Sequence, residues 1–252
     1  MNNLDLKFWL GFAGEWLGVI AVVMIAGASP LLRRIRRIDF RFPRREATFA
    51  LILFALIFLF AFQVFDNQLF NFLKTAALTF AGGELSLRML IAVIALLPAV
   101  VFLLARGQPL KSIGWSKENT RASLMLGLLL VFLVIFLRGK FITLVSGISV
   151  AQGNLLLVLL VLCLAEETIF RGYIQLRLMS FIGTTWGWLA TTLLYLLWQL
   201  PGRLWLSQFP TLWPEVLITL VQGLLLGWIM RKTYHVAAPA LFRAVSTWLM
   251  LL

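Results

Sequence analysis

Eight stretches of this chain, about 16 to 25 residues each, are almost wholly apolar, and that feature limits what it can fold into. They are Phe8–Leu32, Ala47–Val64, Leu87–Ala105, Ala122–Leu137, a fifth run from Leu155, Thr184–Leu200, Glu215–Met230 and Val236–Leu252. Crossing a hydrocarbon core takes roughly 20 apolar residues in a helix. Lipid offers the backbone no hydrogen bonds, so an isolated span must be helical. Composition agrees: 62% of the 252 residues are hydrophobic and 13% charged, against about 45–50% and about 25% in soluble domains. A soluble enzyme, a disordered chain and a collagen are excluded. With one cysteine, Cys163, and one histidine, His235, an internal disulfide, a thiolate cluster and a multi-histidine zinc site are excluded within one chain. No metal or cofactor is expected. The expected fold is an all-α polytopic membrane bundle of about eight transmembrane helices. Residues 1–150 supply about four N-terminal spans and 151–252 a core of about four. The sequence shows no repeat and no two similar halves, which disfavours a transporter built on inverted repeats.

The net charge of +12 is concentrated. Arg33, Arg34, Arg36, Arg37, Arg41, Arg44 and Arg45 crowd one stretch between two apolar runs. This reads as a cytoplasmic juxtamembrane loop, with anionic lipid headgroups as its partner at Arg33–Arg45, rather than as a nucleic-acid surface. Ala26-Gly27-Ala28 resembles a signal-peptidase site, but the arginines follow the apolar run, the reverse of a signal peptide. With the N-terminus outside, fifteen basic residues fall on inner segments (Arg171 and Arg177 among them) and six on outer ones. That places the C-terminus outside too. Trp9, Trp186, Trp188, Trp205, Trp213 and Trp228 stand near run ends and suit interfacial belts. Phe65–Leu85 reads as an outer loop able to form an interfacial helix.

The fifth run contains Glu166, Glu167 and Arg171. An ionised side chain at the centre of a membrane helix costs about 2.5–3.5 kcal/mol on insertion scales, so these groups must face the bundle interior or water. Glu167 and Arg171 are four apart and share a helix face. Glu166 is rotated from Glu167 by about 100° and needs another partner. Two readings stay open on spacing alone. The charges lock helices together, or a carboxylate acts as general base on a water.

The segment Glu166-Glu167-Thr168-Ile169-Phe170-Arg171-Gly172-Tyr173 resembles the Glu-Glu-x-x-x-Arg signature of the CAAX-protease and bacteriocin-processing family. These are polytopic membrane proteins that include glutamate-dependent intramembrane endopeptidases. The likeness continues through Tyr195–Gln199, a glycine-bearing helix Gln222–Lys232 that ends in basic residues, and a last helix near Pro239. It covers about Leu155 to Leu252. It implies a bacterial multi-pass protein of the plasma membrane, with a membrane-tethered peptide or protein as substrate. The resemblance assigns water activation to the first glutamate and to a histidine on the next helix, and oxyanion stabilisation to a later His-x-x-x-Asn. Carried over, Glu166, Glu167 and Arg171 match. The histidine position reads Gln199, and the last motif falls on Arg243 and Thr247. Glutamine accepts no proton near neutrality, and a fixed Arg243 cation balances the glutamates. The resemblance therefore implies either an endopeptidase or a non-catalytic protein of the same fold that binds a peptide or partner. A transporter component is the third reading.

Other polar residues read structurally. Glu15 reads as a buried contact between helices or a functional acid, and Cys163 as a small core residue. His235 reads as an interfacial residue near a helix start, and Glu215, after Pro214, as a helix N-terminal acid. Gly223 and Gly227 read as close helix packing.

Overall fold

A computed structural model describes the backbone of residues 3–33, 35–66, 71–77, 79, 83–206 and 209–252. Side chains are described for these except 3–8, 31, 33, 65, 66, 202–206 and 209–213. All regular structure among the described residues is helical. The elements are α1 (Asn3–Ala28), α2 (Pro30–Arg33), α3 (Pro43–Asp66), α4 (Asn71–Ala77), α5 (Glu84–Ala105) and α6 (Lys117–Leu137). They continue with α7 (Phe141–Val145), α8 (Val150–Glu167), a π-helix (Thr168–Gln175), α9 (Leu176–Ile182), α10 (Thr184–Leu206), α11 (Phe209–Thr233) and α12 (Ala237–Leu251).

Six segments among the described residues are long and apolar enough to cross a membrane: Trp9–Ala28, Pro43–Val64, Glu84–Ala105, Leu110–Leu137, Val150–Ile182 and Pro214–Thr233. α12 is a shorter apolar helix of 15 residues. α10 has 23 residues but turns Thr191, Thr192 and Gln199 inward, which dilutes its apolar character. These eight helices correspond to the eight apolar runs, and the chain is a multi-pass helical membrane bundle. Lipid, unlike water, exacts no cost for apolar side chains on the outside. Leu56 and Leu59 on α3, Leu97, Val101 and Leu104 on α5, and Leu128, Phe132 and Phe136 on α6 all point outward.

Boundaries shift where polar residues enter the first or last helical turn. Pro43 opens α3, so Arg44, Arg45 and Glu46 are helical rather than loop residues. A proline suits that position because its missing N–H has no intrahelical partner to lose. α8 begins five residues before the apolar run, at a capping box in which the Ser149 hydroxyl accepts from the Gln152 N–H while the Gln152 side chain accepts from the Ser149 N–H. α11 begins at Phe209, so Pro214 and Glu215 lie inside the helix and not at its first turn. The stretch after α3 holds the short helix α4; residues 67–70, 78 and 80–82, which the expected loop Phe65–Leu85 includes, lie outside the described residues. So do the side chains of Trp205 and Trp213. Trp186 is exposed and Trp228 packs against the core.

The helices gather around α8. α12 packs on α6 and α8, α5 packs on α8, α10 on α9 and α11, α3 on α9 and α10, and α1 on α6. One apolar cluster joins α1, α5, α6, α8, α11 and α12, and a second joins α3, α5, the π-helix and α10. Glu15 is a tie between helices in the first cluster. Its carboxylate accepts from Arg138 Nε at 2.8 Å and from the Ser246 hydroxyl, binding α1 to the end of α6 and to α12.

Arg177, counted with the inner-side charges at the end of the fifth run, is fully buried within α9. Its Nε donates to Glu46 Oε2 at 3.1 Å, Nη1 to the carbonyls of Ser112 and Tyr173, both at 3.0 Å, and Nη2 to Gln108 Oε1 at 2.6 Å. Arg106 also pairs with Glu46. Burying a guanidinium is tolerable only with such saturation. Arg171, the other residue counted there, is equally buried.

Candidate functional site

Glu166 and Glu167 sit at the middle of the Val150–Ile182 span. Immediately after them the helix widens into the π form. A π segment inside a long helix is uncommon and recurs at functional sites. Here it lets the backbone of Gly172 lie against the carbonyl of Ile113, where a Cβ would collide. Thr168, the first residue of the segment, donates to Leu164 O at 2.7 Å and accepts from Trp115 Nε1 at 3.2 Å.

Despite the wider turn, Arg171 Nε stays 3.3 Å from Glu167 Oε2. Arg171 Nη2 donates to Gly223 O at 3.4 Å, and its guanidinium lies 4.5 Å from the centre of the Tyr195 ring. Arg243, one helix away on α12, closes the cluster. Its Nη2 is 2.5 Å from Glu166 Oε2 and its Nη1 donates to Glu167 Oε1 at 3.1 Å. The same guanidinium lies 5.2 Å from the Tyr195 ring centre. All four charges are buried or nearly so, two negative against two positive.

Glu166 has further partners on α10. Trp198 Nε1 donates to Oε1 at 3.0 Å, Gln199 Nε2 lies 3.2 Å from both oxygens, and the Tyr195 hydroxyl donates to Oε2 at 3.4 Å. Gln199 Nε2 also donates to the Tyr195 oxygen at 3.1 Å. The sequence reading had picked out Gln199 and passed over Tyr195 and Trp198 as partners of Glu166. The spacing held the signal: 195, 198 and 199 are one, three and four apart along a single helix face.

The structure thus brings Glu166, Glu167, Arg171, Gln199 and Arg243 into contact. Thr247 lies one turn after Arg243 and lines a cavity of about 160 Å³ with Glu166, Gln199, Arg243, Gln222 and Arg88. Arg88 reaches this cavity from the first turns of α5 while pairing with Glu84 at 2.9 Å. Gln222 belongs to α11, so five helices contribute to the wall. Cys163 also lines it. Gly223 and Gly227 serve packing: a Cβ at Gly223 would stand 3.0 Å from the Thr192 methyl, and one at Gly227 would meet the Trp188 indole. Among the described residues, no three His, Cys, Asp or Glu side chains gather to hold a metal ion.

His235 is apart from this site. It is buried rather than interfacial, at the start of α12. Its Nδ1 accepts from the Ala237 N–H at 3.1 Å. Nε2 lies 3.2 Å from the Thr120 hydroxyl, which itself donates to Ser116 O at 2.9 Å. Nε2 is therefore the protonated nitrogen and the donor. Trp115 packs edge-on to the ring at 5.6 Å. Burial holds the imidazole down to a pKa of about 4. The turn that presents it requires the left-handed backbone at Tyr234 (φ 48°).

Residues 148–249 match the family model described as type II CAAX prenyl endopeptidase Rce1-like. The chain carries an Rce1-like domain. Its limits enclose α8 with the glutamate pair, the π-helix with Arg171, α10 with Gln199 and α12 with Arg243 and Thr247. No curated protein and no solved structure matches the chain. Within the matched region Glu166, Glu167 and Arg171 are enclosed by Gln199, Trp198, Tyr195 and Arg243.

Proposed function

We propose that the Rce1-like domain of this chain is a non-hydrolytic form of the endopeptidase fold, and that its cavity binds a membrane-embedded peptide or partner segment without cleaving it. The observation that carries this reading is the saturation of Glu166. A carboxylate has about four lone-pair sites. Here Arg243, Trp198, Gln199 and Tyr195 all direct donors at the two oxygens. A general base must present a free lone pair to the water it deprotonates. Both oxygens of Glu166 already accept from protein donors. The surrounding groups offer no substitute: an amide and a guanidinium do not take up and release protons near neutrality.

The magnitudes favour silence over slow turnover. Loss of general-base assistance is worth about 10²–10⁴-fold and loss of an oxyanion donor about 10²–10³-fold. The cavity, about 160 Å³, is smaller than the 300 Å³ or more typical of small-molecule sites. It suits a single side chain or a few waters, as a docking notch for a neighbouring helix would.

The test is a cleavage assay on the full chain in lipid vesicles, using a panel of membrane-tethered peptides. No product above the peptide-only control is expected, with identical traces for wild type and Glu166→Gln. Turnover at an ordinary enzymatic rate that Glu166→Gln abolishes would sink the proposal and restore Glu166 as the base.

A further inference from the structure

We propose that Arg41, Arg44 and Arg45 form a defined site for the phosphate of an anionic lipid headgroup at the start of α3. The arginines whose side chains are described in this stretch do not act alike. Arg36 is engaged with the protein: its guanidinium pairs with Glu118 at 3.0 Å, and Asn119 bonds its backbone in both directions, at 3.2 and 3.0 Å. Arg37 lies near enough to Tyr234, beside Asp39, to influence its ionisation. Arg41, Arg44 and Arg45 line a surface groove of about 490 Å³ with Phe42, Pro43 and Thr48.

Three features of that groove point to a phosphate. First, it carries three cations and no acid among its lining residues. Glu46, the one carboxylate on the same helical turn, is buried and already engaged by Arg106, Arg177 and Gln108. Among the described residues, Arg41, Arg44 and Arg45 form no ion pair with Asp39 or any other acid. Second, the groove coincides with the N-terminus of a 24-residue helix. The Glu46 N–H bonds the Phe42 carbonyl and Pro43 has no N–H. The helix's geometry gives the Arg44 and Arg45 amides no carbonyl to reach, and donors so placed attract anions.

Third, the groove has an apolar side suited to a lipid rather than to a free ion. Phe42 is 57% exposed and lies under the Arg41 guanidinium at 5.3 Å. Arg45 lies over Phe49 at 5.7 Å. Arg41 and Arg45 are thus each backed by an aromatic ring at the end of a membrane-spanning helix, where headgroup phosphates and the first acyl carbons meet. The site is independent of the cavity around Glu166.

The experiment incubates the purified full chain in non-ionic detergent with equal amounts of phosphatidylglycerol and phosphatidylcholine, and reads the retained lipids by native mass spectrometry. A basic residue at an anionic surface contributes roughly fivefold, so three acting together predict a preference for phosphatidylglycerol of about a hundredfold at low salt. The triple variant Arg41→Gln/Arg44→Gln/Arg45→Gln should bring that ratio close to one, and each single variant should lower it severalfold. The triple variant Lys111→Gln/Lys117→Gln/Arg121→Gln removes the same charge from another basic stretch and should keep the preference. Equal loss in both triple variants would show a general charge effect and overturn the site. Displacement of the lipid by millimolar inorganic phosphate, beyond the effect of matched chloride, would show that the groove takes a free anion and overturn the lipid assignment. No preference in the wild type would overturn it outright.

Discussion

Replacing Arg243 by alanine should destabilise the bundle far more than the lost contact area suggests. The side chain joins α12 to α8 through both glutamates, at 2.5 and 3.1 Å, and adds a face-on contact to Tyr195 of α10. Without it, two buried carboxylates face one buried guanidinium, Arg171, which reaches Glu167 alone. Removing one member of a buried ion pair costs about 3–5 kcal/mol, because the partner charge is left uncompensated. Arg243 retains 12% exposure of its side chain toward the cavity, and water admitted there favours the lower end, about 3 kcal/mol. The assay is equilibrium unfolding of the purified chain in mixed micelles, for wild type, Arg243→Ala, Glu166→Gln and the double variant. If the loss is electrostatic, Glu166→Gln should relieve much of it, giving a coupling energy of about 1.5 kcal/mol or more in the double-mutant cycle. A cost below about 1 kcal/mol for Arg243→Ala, or strict additivity in the cycle, would refute the account of the cluster as a charge-balanced clamp.

The remaining predictions concern pH and chemistry. His235 has a pKa of about 4 in the folded chain against an ordinary 6.5, with burial as the cause; the unfolded chain therefore takes up its proton first. Its contribution to stability is complete above about pH 6.5 and is lost as pH falls through that value toward about 4. Melting temperatures compared across that window for wild type and His235→Gln should converge at the acid end, and a constant gap would contradict the buried neutral imidazole. The triple variant Gln199→His/Arg243→His/Thr247→Asn restores the residue types that the endopeptidase signature carries at those positions. It should gain slow cleavage of membrane-tethered peptides that a further Glu166→Gln removes; product formation insensitive to Glu166→Gln would point to a contaminant and not to this site.

The fold was legible in the sequence to the extent that lipid dictates it. Eight apolar runs became eight helices because a membrane span has few alternatives. The helix ends were less legible. Arg44–Glu46 and Lys117–Arg121 are polar turns of α3 and α6, and hydrophobicity alone assigns them to loops. Local signals were nevertheless present: Pro43 marks the start of α3 and Ser149-x-x-Gln152 that of α8. The π-helix at Thr168–Gln175 had no such signal, since its sequence also fits an α-helix. In the site, Glu167 and Arg171 follow from four-residue spacing. Arg243 follows from the charge balance, since two buried glutamates need a second cation beside Arg171, and it pairs with both; the reach of Arg88 into the cavity is tertiary and has no such signal. Arg177 illustrates the limit. It entered the count of inner-side charges, yet it is fully buried and bonded to Glu46, which lies 131 positions away.

Two buried charge clusters tie separated helices together. Each draws its members from separated helices: Glu46, Arg106 and Arg177 join α3 to the end of α5 and to α9, while Glu166, Glu167, Arg171 and Arg243 join α8 to the π-helix and α12. In lipid, apolar surfaces slide past one another with little preference, because neighbouring helix and acyl chain are similarly apolar. A buried carboxylate that finds its guanidinium in only one register penalises every other register by an unpaired charge. This function needs fixed charges of opposite sign held close together. Catalysis needs the opposite, a carboxylate with a free lone pair and a neighbour that releases its proton. On the proposed non-hydrolytic reading, Gln199 and Arg243 serve the first requirement and not the second, and registering α8 against α12 is then the role of Glu166, Glu167 and Arg171.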